Sequence, residues 1–380
     1  MLARNIRLPN GSCFLLGPRG TGKSTWVSAA LPKALRIDLL KESTFVELAG
    51  HSDRLEAMAD GHRTSTIIID EVQKLPALLD EVHRLIETRK FRFVLTGSSA
   101  RKLRRSGANL LAGRAATLSM HPFTASELGA RFDLLHAIRF GLLPSVWSDR
   151  DPDEYLASYV GTYLREEVQQ EALVRNIASF SRFLEAASFS QAAGLNMVAV
   201  AAECGINRKT VENHFDLLED LLLAVRVPVF HRKAKRKLVG HPKFFFFDAG
   251  VYRALRPRGP LDAGADIDGP AIETLLFESL RAENANQNLG YELFYWRTPA
   301  GAEVDFVLYG QRGLHAFEVT RSSVFREADL AGLRLFCGDY PSARGHLFYG
   351  GTRRYRYGAI EVVPLGEGLV GLGATLTRKS

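Results

Sequence analysis

The segment Gly17-Pro18-Arg19-Gly20-Thr21-Gly22-Lys23-Ser24 sets the tightest limit on what this chain folds into. It follows the apolar run Cys13 to Leu16 and precedes a helix-compatible stretch, Thr25 to Leu31. A strand that passes through a glycine-rich loop into a helix presents backbone N–H groups at a helix N-terminus, where anions are stabilised. The spacing satisfies G-x-x-x-x-G-K-[ST], in which the loop cradles phosphates, the lysine meets their outer oxygens and the hydroxyl ligates Mg²⁺. Gly17 through Thr25 is therefore the expected cradle for ATP, with Lys23 on phosphate and Ser24 on Mg²⁺. Taken alone, the segment also reads as a glycine-rich turn between a strand and a helix.

A second motif narrows the choice. Ile67-Ile68-Ile69-Asp70-Glu71 is a buried-strand pattern ending in two adjacent acids. In phosphate chemistry Asp70 would hold Mg²⁺ and Glu71 would orient and deprotonate the attacking water. The same pair could instead open a helix, where first-turn acids favour the dipole. A further apolar strand, Phe91 to Leu95, runs into Thr96-Gly97-Ser98-Ser99, which makes Thr96 and Ser98 candidate γ-phosphate sensors. Arg101, Lys102, Arg104, Arg105 and Arg114 come next with no acid among them. Arg114 is the preferred arginine finger, acting on a neighbouring subunit's nucleotide and so requiring a homo-oligomer. A solvated basic surface is the other reading of that run.

The chain has 380 residues, enough for two or three domains at roughly 150 residues each. Expected boundaries are 1–148 for an α/β domain, 149–260 for a helical module with a basic segment, and 261–380 for a smaller α/β domain. The first domain rests on strands expected at Cys13 to Leu16, Ala34 to Asp38, Thr66 to Asp70, Phe91 to Thr96 and Ala115 to Ser119, with helical spacing between them. The turn-rich stretch from Arg256 to Pro270 reads as a linker before an amphipathic helix, Ala271 to Ala285. Cys13, Cys204 and Cys337 are isolated and support neither disulfides nor a zinc finger. With no signal peptide and no long apolar run, a cytoplasmic protein without membrane spans is expected.

The formal net charge is +7, and the stretch Arg226, Arg232, Lys233, Lys235, Arg236, Lys237 and Lys243 contains that many cations with no acid between them. This is the expected nucleic-acid contact, especially Arg232, Lys233, Lys235, Arg236 and Lys237, or else a patch docking on an acidic protein face. Just before it, Val198 to Ile206 reads as the first helix of a helix-turn-helix, with Asn207 capping the next. Arg208, Lys209 and Asn213 suit DNA, but Glu212, Asp216, Glu219 and Asp220 would repel its backbone, which favours a structural module. Toward the C-terminus, Glu278 on a helix with Asp305 and Glu318 on successive strands forms a candidate relic nuclease site. Thr320 stands where such a site needs a lysine two residues after the glutamate.

Several junctions together resemble a family of prokaryotic AAA-type ATPases, related to archaeal ATPases, that carry a C-terminal domain of unknown function. They are the phosphate loop, Ile-Asp-Glu-Val-Gln from Ile69 to Gln73, Leu-Thr-Gly-Ser-Ser from Leu95 to Ser99, and Leu-Ala-Gly-Arg ending at Arg114, followed by His121-Pro122-Phe123. The resemblance implies a P-loop NTPase parallel sheet with an additional strand between the two motif-bearing strands. It also implies a winged-helix module and a restriction-endonuclease-like C-terminal domain. The expected function is Mg²⁺-dependent ATP hydrolysis coupled to DNA binding or processing. The alternative is a nucleotide-dependent switch that binds a protein partner and carries an inactive nuclease-like domain.

Overall fold

A computed structural model of the chain describes residues 2–99, 111, 113–163, 176–232, 236, 238, 240–260 and 262–378. Two compact units are present. One holds Arg4–His121 with Asp220–Leu222, the other Met1–Ala3, Pro122–Glu219 and Leu223–Ser380.

The first unit is built on five parallel strands, β1 (Ser12–Leu16), β2 (Leu35–Asp38), β3 (Thr66–Asp70), β4 (Arg92–Gly97) and β5 (Ala115–Ser119), in the order β2-β3-β4-β1-β5. Helices α1 (Lys23–Ala30), α2 (Glu42–Gly50), α3 (Arg54–His62) and α4 (Leu78–Arg89) alternate with them. The three inner strands β1, β3 and β4 are largely apolar because both of their faces are covered, whereas the edge strands β2 and β5 are only partly buried. Phe14, Ile67, Ile69, Phe93 and Leu95 join Leu48, Leu55, Leu79, Val82 and Leu85 in one core. The residues between them, Cys13, Leu15, Ile68 and Val94, pack with Val27 and Met120 in another. The period-two alternation of a strand thus feeds two cores from one apolar run. β4 lies between β1 and β3, so a strand does separate the two motif-bearing strands.

In the second unit, residues 122–148 pack with later parts of the chain. The helix Leu134–Phe140 lies against the helices Ala249–Leu255 and Gly264–Asn286. Asp248 fixes that contact by accepting from Leu142 N–H at 2.8 Å while it caps its own helix at Val251 N–H, 2.9 Å. A partner over one hundred residues away leaves no local pattern in the sequence. The helix Met197–Cys204 ends at left-handed Gly205, and Asn207 accepts from Thr210 N–H at 2.8 Å ahead of the helix Arg208–Asp220. A small sheet, β6 (Ala193–Gly194), β7 (Ala224–Val227) and β8 (Lys243–Phe246), in the order β6-β8-β7, accompanies these helices.

A mixed six-stranded sheet completes the unit. It contains β9 (Glu292–Arg297), β10 (Glu303–Gly310), β11 (Gly313–Thr320), β12 (Ala343–Tyr349), β13 (Tyr355–Tyr357) and β14 (Ile360–Pro364), in the order β13-β14-β12-β11-β10-β9. The helix preceding it starts earlier than the linker reading expects and runs from Gly264 through Pro270 to Asn286. A proline this far inside a helix removes one backbone hydrogen bond. Burial of Ile267, Ala271, Ile272, Leu275 and Leu276 holds the helix through that break. No helix among the described residues is long and apolar enough to cross a membrane.

Candidate functional site

The glycine-rich loop leaves β1 at the carboxyl edge of the sheet. Gly17 N–H donates to Gly97 O at 3.2 Å, anchoring the loop to β4. A Cβ at Gly17 would lie 2.2 Å from Met120 O, so only glycine passes there. Gly20 and Gly22 adopt φ of 85° and 86°, a region costly for residues with a Cβ. Thr21 Oγ donates to Pro18 O at 2.9 Å. Lys23 is buried, its Nζ donating to Gly17 O at 2.7 Å and Pro18 O at 3.0 Å. Its ammonium is therefore held inside the loop that would surround phosphates. Pro18 is buried, Arg19 half-buried and Thr25 exposed.

Asp70 ends β3 beside this loop. Ser24 Oγ donates to its Oδ1 at 2.8 Å, and Arg36 from β2 pairs with its Oδ2 at 2.9 Å. Thr96, at the end of β4, donates to Asp70 and accepts from Glu71 N–H at 3.3 Å. Ser24 and Asp70, the two residues expected to hold Mg²⁺, are thus in direct contact. Glu71 sits in the left-handed region at φ 58°, ψ 46°, a conformation that costs a non-glycine residue of order 1–3 kcal/mol and collects at functional sites. Its carboxylate accepts from Gln73 Nε2 and, at 3.3 Å, from Ser98 Oγ; Gln73 Nε2 also reaches Ser98 Oγ at 3.0 Å. Thr96 therefore contacts Asp70, and Ser98 contacts Glu71.

Sequence reading missed Arg36 and Gln73. Arg36 had no motif to mark it. Gln73 falls within the quoted Ile69 to Gln73 segment, and a polar residue two positions after Glu71 was the available signal. Arg114 lies elsewhere. It precedes β5, whose Ala115 pairs with Ser12 at the amino end of β1, so it stands one strand length, roughly 15 Å, from the phosphate loop. There its guanidinium pairs with Glu87, and that hydrogen bond holds the Glu87 carboxyl below its ordinary pKa. Arg101, Lys102, Arg104 and Arg105 lie outside the described residues.

The C-terminal acids assemble differently from the expected set. Asp305 on β10 and Glu318 on β11 are neighbours, with Val319 N–H donating to Asp305 Oδ2 at 3.0 Å. Glu278 does not join them. It is buried, its charged neighbour is Asp248, and its backbone donor is Ala249. Burial first, then Asp248, raises its pKa well above the ordinary range. Glu273, five residues earlier and so roughly 140° around the helix, takes the place expected of Glu278.

A lysine does reach this cluster, from β8. Lys243 is buried, and its Nζ pairs with Glu303, with Glu273 at 3.4 Å and with Asp305 at 3.5 Å. Burial works against its charge, but Glu273, Asp305 and Glu303 outweigh that and raise its pKa. Burial, with Asp305 and Glu303 beside it, pushes Glu318 up to about 9. An ammonium thus stands among the acids where a metal would stand, while Thr320 stays at the conventional lysine position. Among the described residues no group of three or more His, Cys, Asp or Glu is arranged to hold a metal ion. This cluster accordingly does not fit a divalent cation.

The described part of the basic segment is neutralised within the unit. Arg226 pairs with Asp216 at 2.6 Å and with Glu219, Arg232 with Glu292 at 2.7 Å, and Arg236 with Asp339 at 2.5 Å. Arg208 and Lys209 pair with Glu212 at 3.0 and 3.4 Å. Lys233, Lys235 and Lys237 lie outside the described residues.

The parallel five-stranded sheet and its glycine-rich loop are consistent with a P-loop NTPase-like domain. Residues 10–129 match the family model described as an AAA domain. Residues 131–262 match a domain of unknown function, DUF8612, and residues 268–367 another, DUF4143. Over 354 residues the chain is 24% identical to the uncharacterized protein Rv2008c of Mycobacterium tuberculosis, covering 90% of this chain and 77% of that one. Uncharacterized protein Mb2031c of Mycobacterium bovis matches to the same extent. A crystal structure of protein VC1899 from Vibrio cholerae aligns over 96% of this chain and 97% of its own at 12% identity, with a TM-score of 0.22.

Proposed function

We propose that the N-terminal unit binds ATP with Mg²⁺ and hydrolyses it. The observation that carries this reading is the unbroken polar chain from the phosphate loop through Ser24 to Asp70 and Thr96, with Glu71 held next to it by Gln73 and Ser98. Bound Mg²⁺ would neutralise phosphate charge, and Ser24 and Asp70 would hold it. Lys23 exchanges the Gly17 and Pro18 carbonyls for phosphate oxygens. Glu71 orients the water and accepts its proton. Arg114, a strand length from its own loop, serves only the nucleotide of a neighbouring copy, so this role entails a homo-oligomer.

For the output of hydrolysis we favour a switch acting on a protein partner over a DNA-directed activity. The internal pairing of Arg226, Arg232, Arg236 and Lys243 supports this, because cations already matched by carboxylates release few counterions on binding DNA. Thr320 and the lysine-occupied acid cluster support an inactive nuclease-like domain.

The test is ATP turnover by the wild type and the Lys23→Ala and Glu71→Gln proteins, each with and without duplex DNA. Wild-type turnover well above both variants, and unchanged by DNA, is expected. Equal turnover in all three would overturn the hydrolysis assignment, and stimulation by DNA would overturn the preference for a protein partner.

A further inference from the structure

Away from both acid sites, the C-terminal sheet carries a cavity of ≈ 730 Å³ whose lining includes Arg344, Arg356, Arg378, His346, Thr375 and Glu361. Among its described lining residues three are arginines and one is a glutamate, a balance that favours an anion. Arg344 and His346 alternate along β12, Glu361 of β14 pairs with His346, and Arg356 of β13 pairs with Glu361. They therefore share one sheet face. Arg344 is steadied by donating to Arg378 O at 3.2 Å. A volume of this size suits a small organic molecule rather than a bare inorganic ion.

The floor of the cavity adds a second requirement. His346 is only 4% exposed and is the last member of a buried polar chain. Tyr291 donates its hydroxyl proton to Leu376 O at 3.1 Å, so toward His315 Nε2, 3.3 Å away, its oxygen can only accept. His315 Nε2 thus carries the proton. Burial, with Arg344 adding to it, lowers the His315 pKa to about 4, and burial, His315, Arg344 and Arg378 lower that of His346 to about 3, so each ring is neutral and holds a single proton. His315 Nδ1 is then an acceptor, and His346 Nε2, 3.1 Å away, must donate to it. His346 Nδ1 is left as an acceptor in a residue that lines the cavity. The chain from Tyr291 thus fixes the tautomer of a histidine that lines the cavity.

We propose that this cavity binds a small phosphorylated molecule carrying a free hydroxyl, of the sugar-phosphate or nucleotide class. Its phosphate engages Arg344, Arg356 and Arg378, and its hydroxyl donates to His346 Nδ1. Planar guanidinium forks match phosphate oxygens, and Arg356 and Arg378, both exposed, can close on it from the rim. The hydroxyl distinguishes this site from a general anion patch, because a buried acceptor discriminates against ligands that leave it unpaired.

Calorimetric titration of the full chain with ribose 5-phosphate, propyl phosphate and ribose tests this. Ribose 5-phosphate should bind at millimolar concentration or below, propyl phosphate about tenfold or more weaker for want of the hydroxyl, and ribose not measurably. The exposed pair Arg356→Ala and Arg378→Ala should lose binding about tenfold or more without unfolding the protein. His346→Leu should erase the preference for ribose 5-phosphate over propyl phosphate. Lys23→Ala should leave all titrations unchanged, which separates this site from the phosphate loop. Equal binding of the two phosphates to the wild type, indifference to the arginine changes, loss of binding in Lys23→Ala, or no heat with ribose 5-phosphate would each overturn the assignment.

Discussion

Glu71 and Gln73 show how much a single side chain can govern in this site. Glu71 leaves β3 in a left-handed conformation, and its carboxylate is pinned from one side by Gln73 and Ser98. Gln73 is itself constrained: a Cβ at Gly97 would lie 2.6 Å from its Oε1, so Gly97 makes the space in which the amide sits. If Glu71 is the base, its aim depends on that amide. Gln73→Ala should therefore lower kcat for ATP about tenfold, as Ser98 retains part of the hold, while Glu71→Gln should lower it about 10²–10⁴-fold. Nucleotide affinity, measured by fluorescence titration, should stay within about twofold in both, because neither side chain belongs to the phosphate loop. A matching loss of affinity in Gln73→Ala would mean that the residue shapes the loop instead.

Among the elements, β8 is the one whose role is decided by a single charge. Its Phe244, Phe245 and Phe246 are buried, and so is Lys243 at its start. The lysine ties β8 to β10 through Glu303 and Asp305 and to the long helix through Glu273. Removing one partner of a buried ionic cluster costs more than the pair contributes, because the remaining charges stay desolvated. Lys243→Met should destabilise the second unit by about 3–5 kcal/mol, read from urea unfolding near neutral pH. Adding Glu303→Gln and Asp305→Asn to that variant should recover part of the loss, since the stranded carboxylates are then gone. A Lys243→Met protein as stable as the wild type would show that the acids are already protonated and the cluster holds little charge.

For the whole molecule, the placement of Arg114 sets an assembly requirement. Each copy has a phosphate loop at one edge of its parallel sheet and Arg114 near the other. Two variants that are each inactive, Arg114→Ala and Glu71→Gln, should then regain part of the wild-type ATP turnover on mixing, because one supplies the intact catalytic acid and the other the arginine. Turnover that stays at the level of the separate variants at every mixing ratio would exclude a finger acting between copies. What the sequence by itself determined is the class of the first unit. The loop, the acids and the alternating strands are written in consecutive residues, where backbone sterics, hydrogen bonding and two-faced burial act over a few positions. Even there, Arg36 escaped notice, because its contact with Asp70 depends on β2 lying beside β3. In the second unit only the tertiary structure decided the outcome. Helix rotation brought Glu273 rather than Glu278 to Asp305, β8 delivered Lys243 in place of the absent lysine at Thr320, and carboxylates as distant as Asp339 paired the described arginines of a segment that reads as an exposed basic patch. Charges act through space and fall off with separation, so their partners are set by register and packing, and a count along the chain cannot assign them.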